Sequence, residues 1–268
     1  MKYKMLVTDM DDTLLNDDLT ITKENEEAIK KAIELGVRVI LCSGRATTSM
    51  AKYVKQLNLD KKGKYGISYN GSIIFDTSSL RPVYEENISK EDAKFLFSFG
   101  KDNNLYVQTY QNDDFIVEKR SRYSDIYSSI TGMEAKEVGD LIEWINDGVI
   151  KVLFQGENDK LLKVTEQLKP IIKGKLHMFF SKPTYLEFTN INANKGLTVK
   201  RLREEFGFSK DEVICIGDNF NDLYMIKEAG VGVAVANAQE KVREYADYVT
   251  KSTNNEHAIK EVIEKFIL

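Results

Sequence analysis

The sequence predicts an α/β protein with a doubly wound, Rossmann-like core built on a parallel sheet and interrupted by an inserted α+β domain. Short apolar runs alternate with amphipathic helical patterns at both ends of the chain, the signature of strand–helix–strand crossovers. Between residues 83 and 189 that rhythm gives way to helices mixed with strands of alternating polarity, the mark of an open antiparallel sheet. With 42% hydrophobic and 30% charged residues in 268, the chain has enough apolar surface for packed cores and enough charge for a solvated exterior.

In chain order, KMLVTD (4–9) reads as a buried strand. TKENEEAIKKAIELG (22–36) reads as a helix capped by Thr22, with Glu24, Glu26 and Glu27 in its first turn and Gly36 as its stop. VRVILC (37–42) is the next strand, and 46–58 the next helix. YGISYNGSIIFD (65–76) alternates around Asn70-Gly71, which predicts a hairpin with a tight turn. Within the insert, helices are expected near 89–101, 137–147 and 158–170, with strands such as LYVQTY (105–110) and DFIVEK (114–119) leaving one face wet. The alternating pattern then resumes with a helix at 195–206, strand EVICIG (212–217), helix 220–229, strands VGVAV (231–235) and DYVT (247–250), and a closing helix from about 255. Residues 1–82 and 190–268 together match the size of one doubly wound core, and 83–189 form the insert.

Composition excludes several classes. A net charge of -4 and the absence of a Lys/Arg cluster interleaved with aromatics argue against a nucleic-acid partner. The N-terminus reaches acidic residues by Asp9, which rules out a signal-peptide core, and no run approaches the roughly 20 apolar residues of a membrane span. Cys42 and Cys215 each lie in an apolar run and read as reduced buried thiols, which points to the cytoplasm. With only His177 and His257 and no Cys/His cluster, a zinc site is not expected. Gly230-Val231-Gly232 precedes its strand and has no third glycine at the required spacing, so a nicotinamide site is rejected.

Asp9, Asp11 and Asp12 follow directly on the first strand, at the carboxyl edge where open α/β sheets bind ligands. Three acids in four positions repel one another unless a cation intervenes, and a hard divalent ion is the natural remedy, although an acidic turn alone is common. A second acidic set, Asp218 and Asp222 in GDNFND, follows strand 212–217. Two such clusters at strand ends of one sheet can share one ion. Ser43 in LCSGR could offer its hydroxyl, and Gly44 its backbone N–H, to phosphate oxygens, although Ser-Gly is also an ordinary turn. Lys195 opens a helix, where a lysine opposes the dipole; in isolation it would be read as an exposed side chain.

Taken in order, these four segments resemble the four motifs of the haloacid dehalogenase superfamily. Asp9-Met10-Asp11-Asp12-Thr13 is similar to the first motif, Ser43 to the second, Lys195 to the third, and Gly217-Asp218-Asn219-x-Asn221-Asp222 to the fourth. The insert resembles the cap of the Cof-type phosphatases. Asp12 and His257 stand where relatives often carry glycine.

The resemblance implies a Mg²⁺-dependent phosphatase acting on small phosphorylated metabolites, with sugar phosphates, pyridoxal 5'-phosphate and flavin mononucleotide all compatible. It implies that Asp9 is the nucleophile, that Asp11 protonates the leaving oxygen and then activates water, and that Mg²⁺ is held by Asp9, the backbone carbonyl of Asp11 and Asp218. Ser43, Gly44 and Lys195 would bind phosphate, Asn221 would position a phosphate oxygen or Asp9, and Asp222 would hold Asp218 or metal-bound water. Cap candidates for substrate contact are Arg120, Arg122, Tyr123 and Lys182. The expected partner is a small-molecule phosphate ester, with no nucleic acid and no membrane, and the chain is expected to be a monomer or weak homo-oligomer. The alternatives are a phosphomutase and a catalytically silent metal- or ligand-binding module. A receiver domain also uses an aspartate and Mg²⁺ but is about half as long.

Overall fold

The structure, a computed structural model, describes residues 2–268. The chain divides into two compact units: the residues up to Tyr84 with Asn194–Leu268, and Glu85–Ala193. In chain order, the first unit opens with β1 (Met5–Thr8), α1 (Lys23–Glu34), β2 (Arg38–Leu41), α2 (Thr47–Gln56), β3 (Tyr65–Ser68), β4 (Ile73–Asp76) and β5 (Pro82–Glu85). The insert follows with α3 (Lys90–Asp102), β6 (Tyr106–Gln111), β7 (Asp114–Val117), α4 (Arg122–Thr131), β8 (Ala135–Glu137), α5 (Leu141–Trp144), β9 (Lys151–Gln155), α6 (Asn158–Ile172), β10 (Leu176–Lys182) and β11 (Tyr185–Asn190). The first unit resumes with α7 (Lys195–Glu205), β12 (Val213–Gly217), α8 (Leu223–Lys227), β13 (Val231–Ala234), α9 (Glu240–Tyr245), β14 (Tyr248–Val249) and α10 (Ala258–Phe266).

The first unit is built on a parallel five-stranded sheet of order β14-β13-β12-β1-β2. Its local signals act as the sequence predicts: Thr22 caps α1 by accepting from the Asn25 N–H, and Gly36 follows the helix with φ 91°. Met5, Val7, Ile40, Cys42 and Cys215 bury one face of the sheet against Val199 and Leu202 of α7 and Met225 of α8. Each large apolar side chain so buried contributes about 1.5–3 kcal/mol. Helices α1 and α10 pack on each other, burying Ala28, Ile29, Ile259, Val262 and Ile263. Because β1 lies beside β12, with Thr8 opposite Ile216, Asp9 and Asp218 leave the sheet at neighbouring carboxyl ends. The strand order reverses there, so the crossovers diverge and leave a crevice.

In the insert a six-stranded sheet of order β10-β11-β9-β6-β7-β8 is antiparallel except for the β7–β8 pair. One face, with Ile116, Val152, Phe154, Leu186 and Phe188, is covered by Leu96 and Phe97 of α3 and Leu161, Val164 and Leu168 of α6. The other face is not simply wet as its polarity suggested. Gln108, Lys151, Gln155 and Glu187 on it are buried, and Lys151 Nζ pairs with Glu187 at 3.0 Å. Tyr127 of α4 packs beside them, 5.0 Å from Phe115 and 5.9 Å from Tyr185 between ring centroids. Alternation records which residues are polar; it does not tell whether water or another side chain satisfies them.

The helix expected at 137–147 is instead β8 and the one-turn α5. Gly139 takes φ 76°, and Asp140 caps α5 by accepting from the Ile142 and Glu143 N–H groups. The hairpin at 65–76 also differs from a two-residue turn. Ser68 pairs with Ile73, leaving a four-residue connection in which Tyr69, Asn70 and Gly71 have φ of 50°, 57° and 99°. No helix among the described residues is long and apolar enough to cross a membrane.

Candidate active site

At the crevice, Asp9 follows β1, Asp218 follows β12, and Lys195 is the first residue of α7. Lys195 is fully buried and ion-paired to Asp9, and its Nζ lies 2.7 Å from Asp222 Oδ1. The lysine at a helix start, unfavourable to the dipole, is explained by these two carboxylates. Asp222 Oδ2 accepts the backbone N–H of Asp218 at 3.0 Å and of Asn219 at 3.1 Å, so this side chain ties the loop after β12 to Lys195. A Cβ on Gly217 would stand 2.5 Å from the Asp222 side chain, so glycine is required there for the carboxylate to fold back. Asp218 Oδ1 accepts from the Thr13 hydroxyl at 2.7 Å.

Asp9, Asp218 and Asp222 each offer an oxygen within 4.8 Å of the others. Burial, then the nearby Asp222 carboxylate, holds the Asp9 carboxyl well above its usual range, against the pull of Lys195. Burial and Asp222 push Asp218 up to about 7. Burial disfavours the Lys195 ammonium, but Asp222 and Asp9 outweigh it and leave its pKa above that of an ordinary lysine. Three buried carboxylates thus face one ammonium. The shortage of positive charge and the all-oxygen donor set fit a hard divalent cation. Both oxygens of Asp222 are engaged, which leaves Asp9 and Asp218 with lone pairs to offer.

The segment after β2 lies alongside. Ser43 is buried, and its Oγ accepts the Arg45 N–H at 3.1 Å, keeping its own proton free to donate. Arg45, which sequence reasoning missed, grips Asp11 in a fork, with Nε 2.9 Å from Oδ2 and Nη2 2.6 Å from Oδ1. Asn70 was also missed as a site residue: its N–H donates to Ser43 O at 3.0 Å, and Asn221 Nδ2 donates to its Oδ1 at 2.9 Å. The Asn-Gly pair was legible as a turn, but one local signal hid a second use. Cys42 and Cys215 are buried, and burial pushes both thiols up, so neither serves as a nucleophile.

The two positions where glycine was expected share one property. Asp12 has φ 57° and His257 φ 71°, both left-handed. Glycine adopts that region freely, and a short polar side chain such as Asp tolerates it. Asp12 O accepts from Asn237 Nδ2 at 2.7 Å, and the His257 ring lies 3.0 Å from Thr22 Oγ1, tying each residue to a distant segment.

The candidates on the insert are dispersed in role. Arg120 spends Nε and Nη2 on Ala135 O, at 3.0 and 2.7 Å, and so holds β8 in place. Arg122 lies over Tyr123, which stacks on Tyr106 with centroids 5.4 Å apart. Lys182 lies over the Tyr185 ring at 5.4 Å, on a different strand.

A parallel α/β sheet carrying paired acidic loops and a buried lysine, with a large α+β insert, defines a phosphatase of the haloacid dehalogenase type. The chain belongs to the haloacid dehalogenase-like hydrolases, whose family model matches residues 6–263, and within them to the Cof type. It is 33% identical over 269 residues to YxeH of Bacillus subtilis (strain 168), covering 99% of each chain. It is 31% identical over 266 residues to the 5-amino-6-(5-phospho-D-ribitylamino)uracil phosphatase YcsE of the same organism, covering 99% of this chain and 96% of that one. A solved haloacid dehalogenase-like hydrolase from Bacteroides thetaiotaomicron superposes with a TM-score of 0.90 at 35% identity, over 99% of this chain and 100% of the other.

Proposed function

We propose that the protein hydrolyses small phosphorylated metabolites in the cytoplasm through an aspartyl phosphate on Asp9, with Mg²⁺ as its cofactor. The observation that carries this is the buried group of Asp9, Lys195, Asp218 and Asp222 at the strand ends, three carboxylates to one ammonium and so short of the positive charge that a divalent cation supplies. Mg²⁺ held by Asp9, the Asp11 carbonyl and Asp218 would neutralise phosphoryl oxygens and template the approach. Asp9 Oδ1 is held by Lys195, which leaves Oδ2 to attack phosphorus and displace the substrate oxygen. Ser43, the Gly44 N–H, Lys195 and Asn221 orient the phosphoryl group. Asp11 gives its proton to the leaving oxygen, then takes one from the water that cleaves the acyl phosphate. A protonated carboxyl cannot accept at both oxygens and also donate within the Arg45 fork, so the acid step requires that fork to open.

Purified protein is expected to release inorganic phosphate from sugar phosphates, pyridoxal 5'-phosphate, flavin mononucleotide or 5-amino-6-(5-phospho-D-ribitylamino)uracil, the last included because a relative's name gives it as substrate. Release should vanish in chelator and return with Mg²⁺. Transfer of phosphate back onto an organic acceptor without release would make it a mutase, and no turnover by a folded, metal-binding protein would make it a binding module.

Metal should also leave a thermal signature. In chelator, Asp218 keeps its proton more readily folded than unfolded, so its contribution to stability is fully present below the unfolded value of 3.8 and falls away as pH rises from there through about 7. Mg²⁺ competes with that proton. The rise in Tm on adding Mg²⁺ is therefore expected to be larger at pH about 8 than at about 5.5, measured by thermal unfolding; equal increments would place the ion elsewhere.

A further inference from the structure

We propose that Asn70 is a ligand of the transferring phosphoryl group, a role for the Asn-Gly turn beyond closing the hairpin; this rests on the phosphatase reading above. The turn is shaped for more than reversal. Tyr69, Asn70 and Gly71 all take positive φ, and Tyr69 is a buried aromatic residue for which that region is strained. Such strain persists only where neighbours over-determine it, and here they are the site segments themselves. Tyr69 N–H donates to Arg45 O and Asn70 N–H to Ser43 O, both at 3.0 Å. Gly71 O accepts from the Thr198 hydroxyl at 2.7 Å, and a Cβ on Gly71 would stand 2.5 Å from the Asn194 carbonyl carbon and 2.9 Å from Lys195 N. The turn thus touches the segment of Ser43, the start of the Lys195 helix and the loop of Asn221.

The amide of Asn70 lies inside that ring. Its Oδ1 and Nδ2 are 3.0 and 3.1 Å from the point where a Cβ on Gly44 would stand, so the amide covers the residue whose N–H the proposed function assigns to phosphate. Its bond to Asn221 uses one acceptor on one amide and one donor on the other. In either orientation of the two amides, N–H groups remain over for an oxyanion. An amide pair flanking Gly44 supplies donors to phosphoryl oxygens without adding charge.

The test separates side chain from turn. Glycine adopts the left-handed region at least as readily as asparagine, so Asn70→Gly keeps the turn and its backbone bonds while removing the amide. Asn70→Asp keeps the shape and an acceptor for Asn221 but replaces N–H donors with negative charge. Binding of inorganic phosphate in Mg²⁺ by titration calorimetry, and kcat/KM from phosphate release, are measured for wild type and both variants, with Tm as the folding control. Both variants are expected to bind phosphate at least about tenfold more weakly and to lose about a hundredfold in kcat/KM, with Tm near wild type. Wild-type phosphate binding and kcat/KM in either variant would overturn the proposal and show that the turn acts only through its backbone. A wild type that releases no phosphate from any compound overturns the hydrolase reading instead, and phosphate titration still decides the role of Asn70.

Discussion

Asn at position 9 is expected to abolish phosphate release, by about 10⁴-fold or more in kcat, while leaving the protein folded and, in chelator at neutral pH, more stable than wild type. The two halves of this expectation have one cause. Asp9 is buried, with burial and the Asp222 carboxylate both opposing its ionised form. An amide has nearly the same shape and carries no charge to desolvate, so Asp9→Asn removes a conflict that the fold otherwise sustains. The amide oxygen is also a poor nucleophile, so no acyl phosphate forms. Phosphate release with and without Mg²⁺, beside thermal unfolding in chelator, measures both. Acid-quenched wild type incubated with labelled substrate should retain protein-bound phosphate that the variant lacks. Residual turnover within about tenfold of wild type would mean that water attacks phosphorus directly and that Asp9 serves the cation alone.

The contrast between Asp9 and Asn70 shows what could be read before the fold was known. Asp9, Ser43, Lys195 and Asp218 each sit at the end of a strand or the start of a helix, so once the α/β rhythm was recognised their convergence followed from parallel-sheet geometry. Lys195 and Asp222 are 27 positions apart and pair only because α7 and the loop after β12 meet. Asn70 lay within a signal already explained by another cause, and Arg45 meets Asp11 across 34 positions with no local mark of that meeting. In the insert the amphipathic α3 and α6 were legible from their periodic apolar faces. Helix α4 was not, because its inward side is led by Tyr127 and Ser124 in a polar surround. The same ambiguity turned 137–147 into a longer helix than exists: Leu141, Ile145 and Val149 repeat at helical spacing, but Gly139 and the Ile145 backbone, at ψ 122°, bound only one turn.

Lys195→Met should be the most damaging single change after Asp9→Asn, and its damage should depend on pH in a diagnostic way. Methionine approximates the length of lysine and fills the same buried volume, so the packing loss is small. The charge loss is not. Without the ammonium, Asp9 and Asp222 face each other with no cation between them, and breaking a buried pair from one side typically costs about 3–5 kcal/mol. Activity is expected to fall by about a thousandfold or more, because the donor that holds Asp9, and that the proposed function assigns to the phosphoryl oxygens, is gone. Stability in chelator should recover as pH falls, since the folded state takes up protons on the now unbalanced carboxyls more readily than the unfolded chain does, and each proton removes a charge the lysine once met. Added Mg²⁺ should restore part of the stability at pH about 7.5 without restoring turnover, because it supplies positive charge without returning the hydrogen bonds to Asp9 and Asp222. Thermal unfolding across pH, with and without Mg²⁺, reads these effects separately from the phosphate assay. A Lys195→Met protein as stable as wild type at pH about 7.5 in chelator would show that the ammonium adds no net stability to the fold and that the lysine is needed for chemistry alone.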